Sequence, residues 1–511
     1  MKTSPTYNIY LLCLLAAILL GVAGGMVPAH ADETITADAG AIITPDPMAL
    51  INADSAALFH LINSARENPL AMAESLGLKR DQILVDLPDL KDILLSGLPP
   101  LVFNAWLYQT AEDHTRDMLA NNYYAYESID GRTLDDRMND AGYVALRSGE
   151  SLGMMAFGNF IAADKAVFQM FTKMLKDELN PEIEGERRIL NPAFKDLGVS
   201  VQGGVFKFDR FSANAYMATC DFGASVETYE LQLLNLINQA RNNPRAIAEL
   251  NGVDVEFFLT DFPEFADTFA YGLPPVRFNR YLYFSAEEKI NDMLENEYFG
   301  KTSPTGITLD QRMSAAGYGD AEWAGESLSL ISTAGAEISP LLTVSSLFNQ
   351  MFFSNLRTDE YGNVSLLSEK AMDAGCRIAA AASMILSGDH LHLGVGDFGA
   401  PLINPLVDPM IKTDPVITGV VFTDKNSNNL YDTGEEITNA AVTIWAEGAS
   451  TPSRTVMTNA AGGYGVSVAP GLYGVSIGEG ENLQFNWVRM ETVNAWQVFK
   501  LIPEIPIVSG Q

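Results

Sequence analysis

An internal duplication is the feature of this 511-residue sequence that most limits how the chain can fold. Residues 61–69 read LINSARENP and residues 236–244 read LINQARNNP, while residues 97–100 and 272–275 both read GLPP. The offset stays at 175 to 176 residues through the motifs that follow. An offset this long and constant predicts two tandem copies of one domain, because a solenoid would use shorter and usually more numerous units.

Each copy alternates helical and strand-like patterns. Asn104 is a candidate helix N-cap, and His114 and Met118 follow it on one helical face. The copies close with strand-like runs at residues 216–222 and 392–398. We therefore expect an α+β fold for each copy, which is long enough to bury its own core.

The composition changes in the last hundred residues. Short β-type runs occur there, and the last two are joined by a turn signal, Ala469-Pro470-Gly471. We expect an all-β sandwich after a Pro-rich linker. The predicted domains are residues 51–224 and 229–402 for the two copies, 403–415 for the linker and 416–505 for the sandwich.

The N-terminus has the pattern of an export signal. Lys2 precedes an apolar run at residues 9–23, and Ala29-His30-Ala31 forms a cleavage pattern. We predict a signal peptide at residues 1–31 and a linker at 32–50. An uncleaved anchor is the alternative, but the run is short for a membrane span, which needs about 20 apolar residues. The expected location is secreted or extracellular, in the periplasm or at the cell surface, without a stable membrane span after cleavage.

Charge and cysteine content limit which partners the chain is expected to bind and which disulfides it can form. The 32 Lys and Arg residues face 64 Asp and Glu residues, which gives a net charge of −32. Nucleic acid is therefore not expected as a partner, nor is an anionic membrane surface. With only three Cys the chain is no disulfide scaffold. Cys220 and Cys376 lie at non-equivalent points of the copies, and we expect both to be buried and unbridged.

The motifs of the copies resemble those of a known family. The first copy has the opening LINxARxNP segment, NNYYxxxSxDG at residues 121–131, GESL at 149–152 and ILNPxFxDLGV at 189–199. The second copy keeps most of them and is weaker at residues 366–373. In combination they are similar to the CAP (or SCP) superfamily of cysteine-rich secretory proteins, antigen 5 and plant pathogenesis-related proteins, in its bacterial form. This resemblance implies tandem α-β-α sandwiches and an extracellular setting.

Family members have a surface cleft with two His and two Glu, which in some of them bind a divalent metal. By the resemblance, one cleft Glu corresponds to Glu150 and Glu326, and the first cleft His to Tyr126 and Lys301. Neither copy retains a cleft histidine in this alignment, and a zinc site needs about four ligands, so no zinc is expected. We expect these positions to have a ligand-binding role and no catalytic one.

The remaining cleft positions have no clear match. The second cleft His falls near Gly185 and Gly362. The second Glu has no counterpart, although four acidic residues lie nearby in the sequence, namely Asp177, Glu178, Asp359 and Glu360.

Three other histidines are candidate metal ligands. His114 corresponds to Lys289 in the second copy, which favours a buried structural histidine. His390 and His392 share one strand face and could bind a metal weakly with Glu326, although two ordinary polar residues are the simpler interpretation.

The most specific chemical motif is residues 424–435, DKNSNNLYDTGE. Oxygen ligands stand at loop positions 1, 3, 5, 9 and 12, with a backbone carbonyl at position 7, which is the spacing that wraps Ca²⁺. The segment resembles calcium loops of the B-type domains of bacterial surface adhesins (SdrD B-like). An acidic Asn-rich turn without a metal is the alternative. The predicted calcium ligands are Asp424, Asn426, Asn428, Leu430, Asp432 and Glu435.

These observations favour an extracellular protein that binds an unidentified ligand or protein partner. A peptidase that uses Glu150 or Glu326 is the alternative in the enzyme class, and loss of the cleft histidines argues against it. A structural envelope or matrix component is the third possibility.

Overall fold

The computed structural model describes most of the chain that follows the N-terminal segment. The described residues are 51–158, 161–183, 187–333, 338–356, 365–381, 390–402, 414–478, 483–491 and 493–501. Several predictions lie outside the described residues: the signal peptide and first linker, positions 185, 359, 360 and 362, and most of the Pro-rich linker.

The first copy contains seven helices and four strands within the described residues. Its elements are α1 (Ala53–Glu67), α2 (Pro69–Ser75), α3 (Arg80–Asp86), α4 (Lys91–Ser96), β1 (Val102–Phe103), α5 (Ala105–Asn121), α6 (Leu134–Asp140), β2 (Ala145–Phe157), α7 (Ala163–Glu178), β3 (Asp196–Lys207) and β4 (Ser212–Ser225).

The second copy repeats this order element by element. Its elements are α8 (Thr228–Asn242), α9 (Pro244–Leu250), α10 (Val255–Asp261), α11 (Ala266–Tyr271), β5 (Arg277–Phe278), α12 (Arg280–Glu295), α13 (Leu309–Ala316), β6 (Ala321–Thr333), α14 (Pro340–Asn355), β7 (Asp373–Ala381) and β8 (His390–Pro401).

Both copies are three-layer α-β-α sandwiches. The sheet orders are β1-β3-β4-β2 and β5-β7-β8-β6, with the short first strand parallel to its neighbour and the other pairs antiparallel. In the first copy α1 and α7 pack on one sheet face, while α5 and α6 cover the other. The predicted N-cap is confirmed, since Asn104 accepts hydrogen bonds from two backbone N–H groups of α5. The predicted α+β fold and tandem arrangement are confirmed.

A buried arginine explains the LINxAR segment that opens each copy. Arg66 donates to the backbone carbonyls of Pro99, Ile189 and Asn191 at 2.7 to 3.0 Å. Arg241 makes the equivalent bonds in the second copy, to carbonyls of Pro274, Leu366, Ser368 and Ala371. Each arginine therefore ties the first helix to two distant loops whose carbonyls would otherwise be buried without partners.

In each copy an Ala-Gly-Tyr segment (residues 141–143 and 316–318) packs against an Asp-Phe-Gly segment (DFG, residues 221–223 and 397–399). The Tyr143 hydroxyl donates to Asp196 at 2.7 Å, and its ring lies over Gly223 so closely that any Cβ there would clash. Tyr318 repeats the contact with Asp373 and Gly399. The glycine of DFG is therefore required for tyrosine packing.

The C-terminal region is a β-sandwich of two four-stranded sheets. One sheet has the order β11-β10-β13-β14, and the other consists of β12, β9 and β15, with β16 also paired to β9. Their facing side chains form one core that includes Val421, Val442 and Val475. The strands are β9 (Val416–Phe422), β10 (Ala441–Ala446), β11 (Arg454–Met457), β12 (Gly463–Ser467), β13 (Gly471–Ile477), β14 (Gln484–Met490), β15 (Ala495–Trp496) and β16 (Phe499–Lys500).

The sandwich packs against both copies. Arg454 on β11 forms an ion pair of 2.8 Å with Asp140 at the end of α6. On the other side Gln239 of α8 exchanges two hydrogen bonds with the backbone of Tyr431, at 2.6 and 2.9 Å. Helix α8 is therefore buried between the core of the second copy and the sandwich.

The remaining features of the fold concern the cysteines and the lengths of the helices. Cys220 and Cys376 are buried and unbridged. Among the described residues, every helix is too short or too polar to cross a membrane.

The buried arginine of the second copy should be critical for its stability. Arg241→Met leaves at least three buried carbonyls without partners, so we expect a loss of about 3–5 kcal/mol in the free energy of unfolding. Hydrogen exchange of α8 would measure the loss where the substitution acts. Arg245→Met, which removes a partly exposed arginine on the neighbouring helix α9, is the matched control and should leave this exchange unchanged. Equal effects of the two substitutions would contradict the role assigned to Arg241.

Candidate functional sites

The first candidate site is a buried charge cluster in the first copy. Glu150 on β2 lies directly opposite Asp221 on β4 in the sheet register. Arg137 reaches this pair from α6 and donates from Nη2 to Glu150 Oε1 at 2.7 Å. Helix α6 presents the arginine there because a capping box at Thr133 fixes the first turn of the helix.

The cluster also holds the loop that follows α5. Arg137 Nη1 donates to the carbonyl of Tyr126 at 3.0 Å, and His114 Nε2 lies 3.0 Å from the carbonyl of Ala125. His114 Nε2 is also 3.9 Å from Glu150 Oε1. Burial and, next in size, the charge of Arg137 lower the pKa of His114 to about 4. The histidine is therefore neutral at physiological pH.

The two facing carboxyl groups shift each other's pKa. Burial raises the pKa of Asp221 well above its usual value, and the neighbouring Glu150 raises it further. Burial also raises the pKa of Glu150, while Arg137 opposes that shift. The resulting state has ionised Glu150 paired with Arg137 and protonated Asp221.

The second copy repeats this cluster with one important change. Arg312 on α13 donates to Glu326 on β6, and Glu326 lies opposite Asp397 on β8. Asp397 accepts a hydrogen bond of 2.6 Å from Ser285. Where the first copy has His114, the second has Lys289, whose ammonium donates to the Lys301 carbonyl at 2.9 Å.

Lys289 changes the charge balance of the second cluster. Burial and the neighbouring Glu326 raise the pKa of Asp397 while Arg312 and Lys289 oppose the shift, and the net pKa is about 7. The second cluster therefore titrates near neutral pH, while the first keeps its aspartic acid protonated.

Burial separates the site residues predicted from the sequence into two groups. Glu150, Glu326 and His114 are 3%, 5% and 1% exposed, so in this structure their side chains contact protein groups and are closed to a ligand. Tyr126 is 58% exposed and Lys301 is exposed as well. A direct ligand role is therefore possible for Tyr126 and Lys301, for which it stays a prediction.

Sequence reasoning missed half of each cluster. Arg137 and Arg312 stand in Arg-Met pairs at residues 137–138 and 312–313, and Asp221 and Asp397 begin Asp-Phe-Gly segments at 221–223 and 397–399. None of the four is among the predicted site residues. The available signal was their identity in both copies, since a charged residue retained at an otherwise buried position indicates a buried pair.

The acidic residues considered for the second cleft Glu have other roles where the structure describes them. Glu178 accepts three backbone N–H groups, from Arg188, Ile189 and Leu190, at 2.6 to 2.9 Å. In the second copy Asn355 Oδ1 accepts hydrogen bonds from the backbone N–H groups of Ser365 and Leu366, in the corresponding loop. Asp177 forms a surface ion pair with Lys173.

The histidine pair does not assemble a metal site with Glu326. His392 pairs with Ile331 on β6, five residues from Glu326 along the strand, which corresponds to roughly 17 Å. The idea that Glu326 is a third ligand is therefore wrong.

The second candidate site is the loop at residues 424–435. The carboxylates of Asp424 and Glu435 are turned inward and only 4% and 5% exposed. Asp424 accepts the backbone N–H groups of Asn428 and Asn429, at 3.1 and 3.0 Å. Glu435 accepts those of Lys425 and Asp432, at 2.7 and 3.1 Å.

The side chains in the middle of this loop also converge. Asn426 and Asn428 donate to Asp432 Oδ2 at 2.8 and 2.7 Å. Asn429 has a φ of +62°, which asparagine tolerates at the position where calcium loops favour glycine. No cluster of three His, Cys, Asp or Glu side chains in the described residues has metal-binding geometry. The loop's donor set, which consists of oxygens and includes Asn amides, fits a hard cation such as Ca²⁺.

The raised pKa of Asp397 predicts an unusual pH dependence of stability. The folded protein holds this proton up to about pH 7, whereas the unfolded chain releases it near pH 4, so stability should fall as pH rises between these values. Asp397→Asn keeps the shape of the neutral acid and should flatten this decline. Calorimetric melting temperatures from pH 4 to 8 would measure it, with exposed Asp320→Asn as the control. A decline that is unchanged in Asp397→Asn would contradict the assignment.

Several solved structures are similar to parts of this chain. A comparison with curated proteins found no match. Among solved structures, an outer surface protein from Borrelia burgdorferi is 17% identical, with 29% of this chain and 92% of that chain covered and a TM-score of 0.19. An extracellular protein containing a SCP domain from Bacillus anthracis is 13% identical, with 39% and 60% covered and a TM-score of 0.19. Similarities this low carry no argument about function.

The family assignment rests on the sequence match. The sequence model described as CAP, the cysteine-rich secretory protein family, matches residues 59–222 and 234–396, together more than half of the chain. The first matched segment contains Arg137, Glu150 and Asp221, and the second contains Arg312 and Glu326 and ends one residue before Asp397. The chain belongs to the cysteine-rich secretory protein (CAP) family and carries two copies of its domain.

Proposed function

We propose that this protein is an extracellular binding protein whose two CAP domains present ligand surfaces and perform no catalysis through Glu150 or Glu326. One observation carries the proposal: each glutamate is sealed in an ion pair with a buried arginine. A general base must reach a proton of the substrate or of a water molecule, and these carboxylates are committed to the protein interior.

The surface above each cluster is suited to binding. In the first copy Tyr124 and Tyr126 are 42% and 58% exposed on the loop that Arg137 holds. In the second copy the corresponding residues are Phe299, 42% exposed, and Lys301. Exposed aromatic residues on a loop with a fixed backbone can bind a partner with little loss of side-chain entropy.

The two surfaces differ in chemistry. The first offers two phenol groups, while the second offers a phenyl ring and an ammonium group. We infer that the copies have diverged in what they bind and do not act as two identical sites for one repeated ligand.

The alternative peptidase function can be tested directly. The purified protein is incubated with a broad peptide mixture, with and without EDTA, and the products are read by mass spectrometry. A Glu150→Gln/Glu326→Gln double variant is run in parallel. We expect the same peptide pattern from both proteins, because neither glutamate reaches the substrate.

Folding of the double variant must be checked for this comparison. Each substitution leaves a buried arginine without its anion, so the melting temperature should fall while circular dichroism at low temperature stays native. Cleavage by the native protein that disappears in a folded double variant would overturn the proposal and make the glutamates catalytic.

We further propose that the sandwich is a B-type module stabilised by Ca²⁺ in the loop at residues 424–435. Support comes from the two inward-facing carboxylates and from the convergence of Asn426 and Asn428 on Asp432. A bound cation would offset the charges of Asp424, Asp432 and Glu435. Two ammonium groups already lie at the loop: that of Lys500, 3.1 Å from Asp424, and that of Lys425, which donates to the Gly434 carbonyl. The residues that would hold it are those predicted from the sequence: Asp424, Asn426, Asn428, the Leu430 carbonyl, Asp432 and Glu435.

The position of the loop gives calcium a role beyond the module itself. Tyr431 lies in the middle of the loop, is fully buried and bonds to Gln239 of the second CAP domain. Ordering of the loop therefore also orders the interface between the sandwich and that domain.

Calcium should raise the stability of the purified protein. At a concentration of 100 times the dissociation constant, a single site adds about 2.7 kcal/mol to the free energy of unfolding. Melting temperatures in CaCl₂, MgCl₂ and EDTA would measure the effect. An Asp432→Asn/Glu435→Gln variant should lose the response, and Glu447→Gln, an exposed residue of the same module, should keep it. A native protein with the same melting temperature in CaCl₂ and EDTA would contradict the calcium proposal.

A further inference from the structure

The outer face of one sheet of the sandwich carries an unusual group of aromatic side chains. Val488 and Met490 of β14 belong to the core, so the alternate residues Phe485 and Trp487 face outward. They are 41% and 57% exposed. Their rings contact each other edge to face, with centroids 5.2 Å apart.

The strand register places a third ring in line with them. Gly474 of β13 pairs with Trp487 on one side and with Trp445 of β10 on the other. The Phe485 ring lies over Gly474 so closely that a Cβ there would clash with it. Trp445, Phe485 and Trp487 therefore lie side by side on one face of the strands β10, β13 and β14, with Trp445 partly buried, and we call these three residues the aromatic strip.

The strip is held rigidly. Trp445 Nε1 donates to Ser476 Oγ at 3.1 Å, which fixes the indole against the sheet. The two indoles stand two strand spacings apart, roughly 10 Å, on a hydrogen-bonded frame. Such rigidity lowers the entropy cost of binding to the strip.

The strip is accessible in the part of the chain that the structure describes. The sandwich bonds to the second CAP domain through loop residues such as Tyr431 and Asn494, and to the first through Arg454 at the opposite edge of this sheet. The interfaces described above thus leave β14 and the outer face beside it open. Nothing in the packing of the fold requires two aromatic side chains of this size to be exposed here.

The charge of the chain and the exposed area of the strip limit which kinds of ligand or partner can bind to the strip. Among the outward-facing residues of β10, β11, β13 and β14, Arg489 is the charged one, and the exposed Glu447 and Glu491 follow β10 and β14 directly. The chain's net charge of −32 opposes both an anionic membrane and a second copy. The exposed rings supply at most a few hundred Å², well below the roughly 800 Å² per partner of a stable protein interface. A small, uncharged ligand fits these limits.

We propose that the aromatic strip is a binding site for a neutral glycan chain. One face of a pyranose ring carries axial C–H groups of weak positive polarity, which pack on the electron-rich face of an aromatic ring. Two such rings two strand spacings apart can contact successive sugars of a chain. The hydroxyl groups of Thr443 and Thr455 and the guanidinium of Arg489, on the same face, can bond to the sugar hydroxyls. This site is independent of the CAP domains and of calcium.

The test is direct binding of defined neutral oligosaccharides to the full purified chain. Cellohexaose, chitohexaose, xylohexaose and mannohexaose are titrated, with calorimetry and tryptophan fluorescence as readouts. We expect at least one of them to bind and to change the fluorescence. Trp487→Ala and Phe485→Ala should each weaken that binding about tenfold. Tyr271→Ala, which removes an aromatic residue that is 84% exposed on the second CAP domain, is the matched control and should bind like the native protein.

Circular dichroism and melting temperature check that the variants are folded, which is expected because both substituted side chains are exposed. Absence of binding by all four oligosaccharides at millimolar concentration would overturn the proposal. So would equal binding by the native protein and folded Trp487→Ala. Self-association in analytical ultracentrifugation that Trp487→Ala abolishes would assign the strip to a second copy instead, and would also overturn it.

Discussion

The buried ion pair between a helix arginine and a strand glutamate decides how the CAP domains of this protein are built and what they can do. Arg137 and Glu150 join α6 to the sheet, and Arg312 and Glu326 repeat the joint in the second copy. Removing two charges from water costs several kcal/mol per ion unless each charge finds its partner and further hydrogen bonds. Arg137 meets this requirement by also holding the loop that contains Tyr126. The cluster therefore shapes the exposed surface without belonging to it.

The two clusters differ in the groups that surround the aspartate. His114 is neutral, so the first cluster has one cation for two carboxyl groups, and the pKa of Asp221 stays well above its usual value. In the second cluster burial and Glu326 raise the pKa of Asp397 to about 7, against the opposing effects of Arg312, the Ser285 hydroxyl and Lys289. The chain therefore has two internally balanced charge groups at these positions. The same duplicated scaffold thus tolerates different charge patterns as long as the sum over buried groups stays near zero.

Local patterns predicted most of the fold, and contacts between distant segments were the part that the sequence did not reveal. The duplication, the Asn104 cap and the β-sandwich depend on periodicity and turn chemistry, which are readable along the chain. The pairing of Glu150 with Asp221 depends on the register of strands about 70 residues apart in sequence, which no local pattern specifies. Likewise the turn at Ala469 does not form a hairpin, since β12 pairs with β9 and β13 with β10 and β14.

The C-terminal sandwich contacts the CAP domains with some of its surfaces and leaves another surface free. Tyr431 and Phe422 complete the core of the second CAP domain, and Arg454 closes the contact with the first. A module docked at these places is fixed by both CAP domains and no longer moves as a flexible appendage. Its remaining free face, with Trp487 at the edge, therefore keeps a constant orientation relative to the loops of Tyr126 and Lys301. A binding strip on that face would act together with the CAP surfaces as one rigid unit, since no linker entropy separates them.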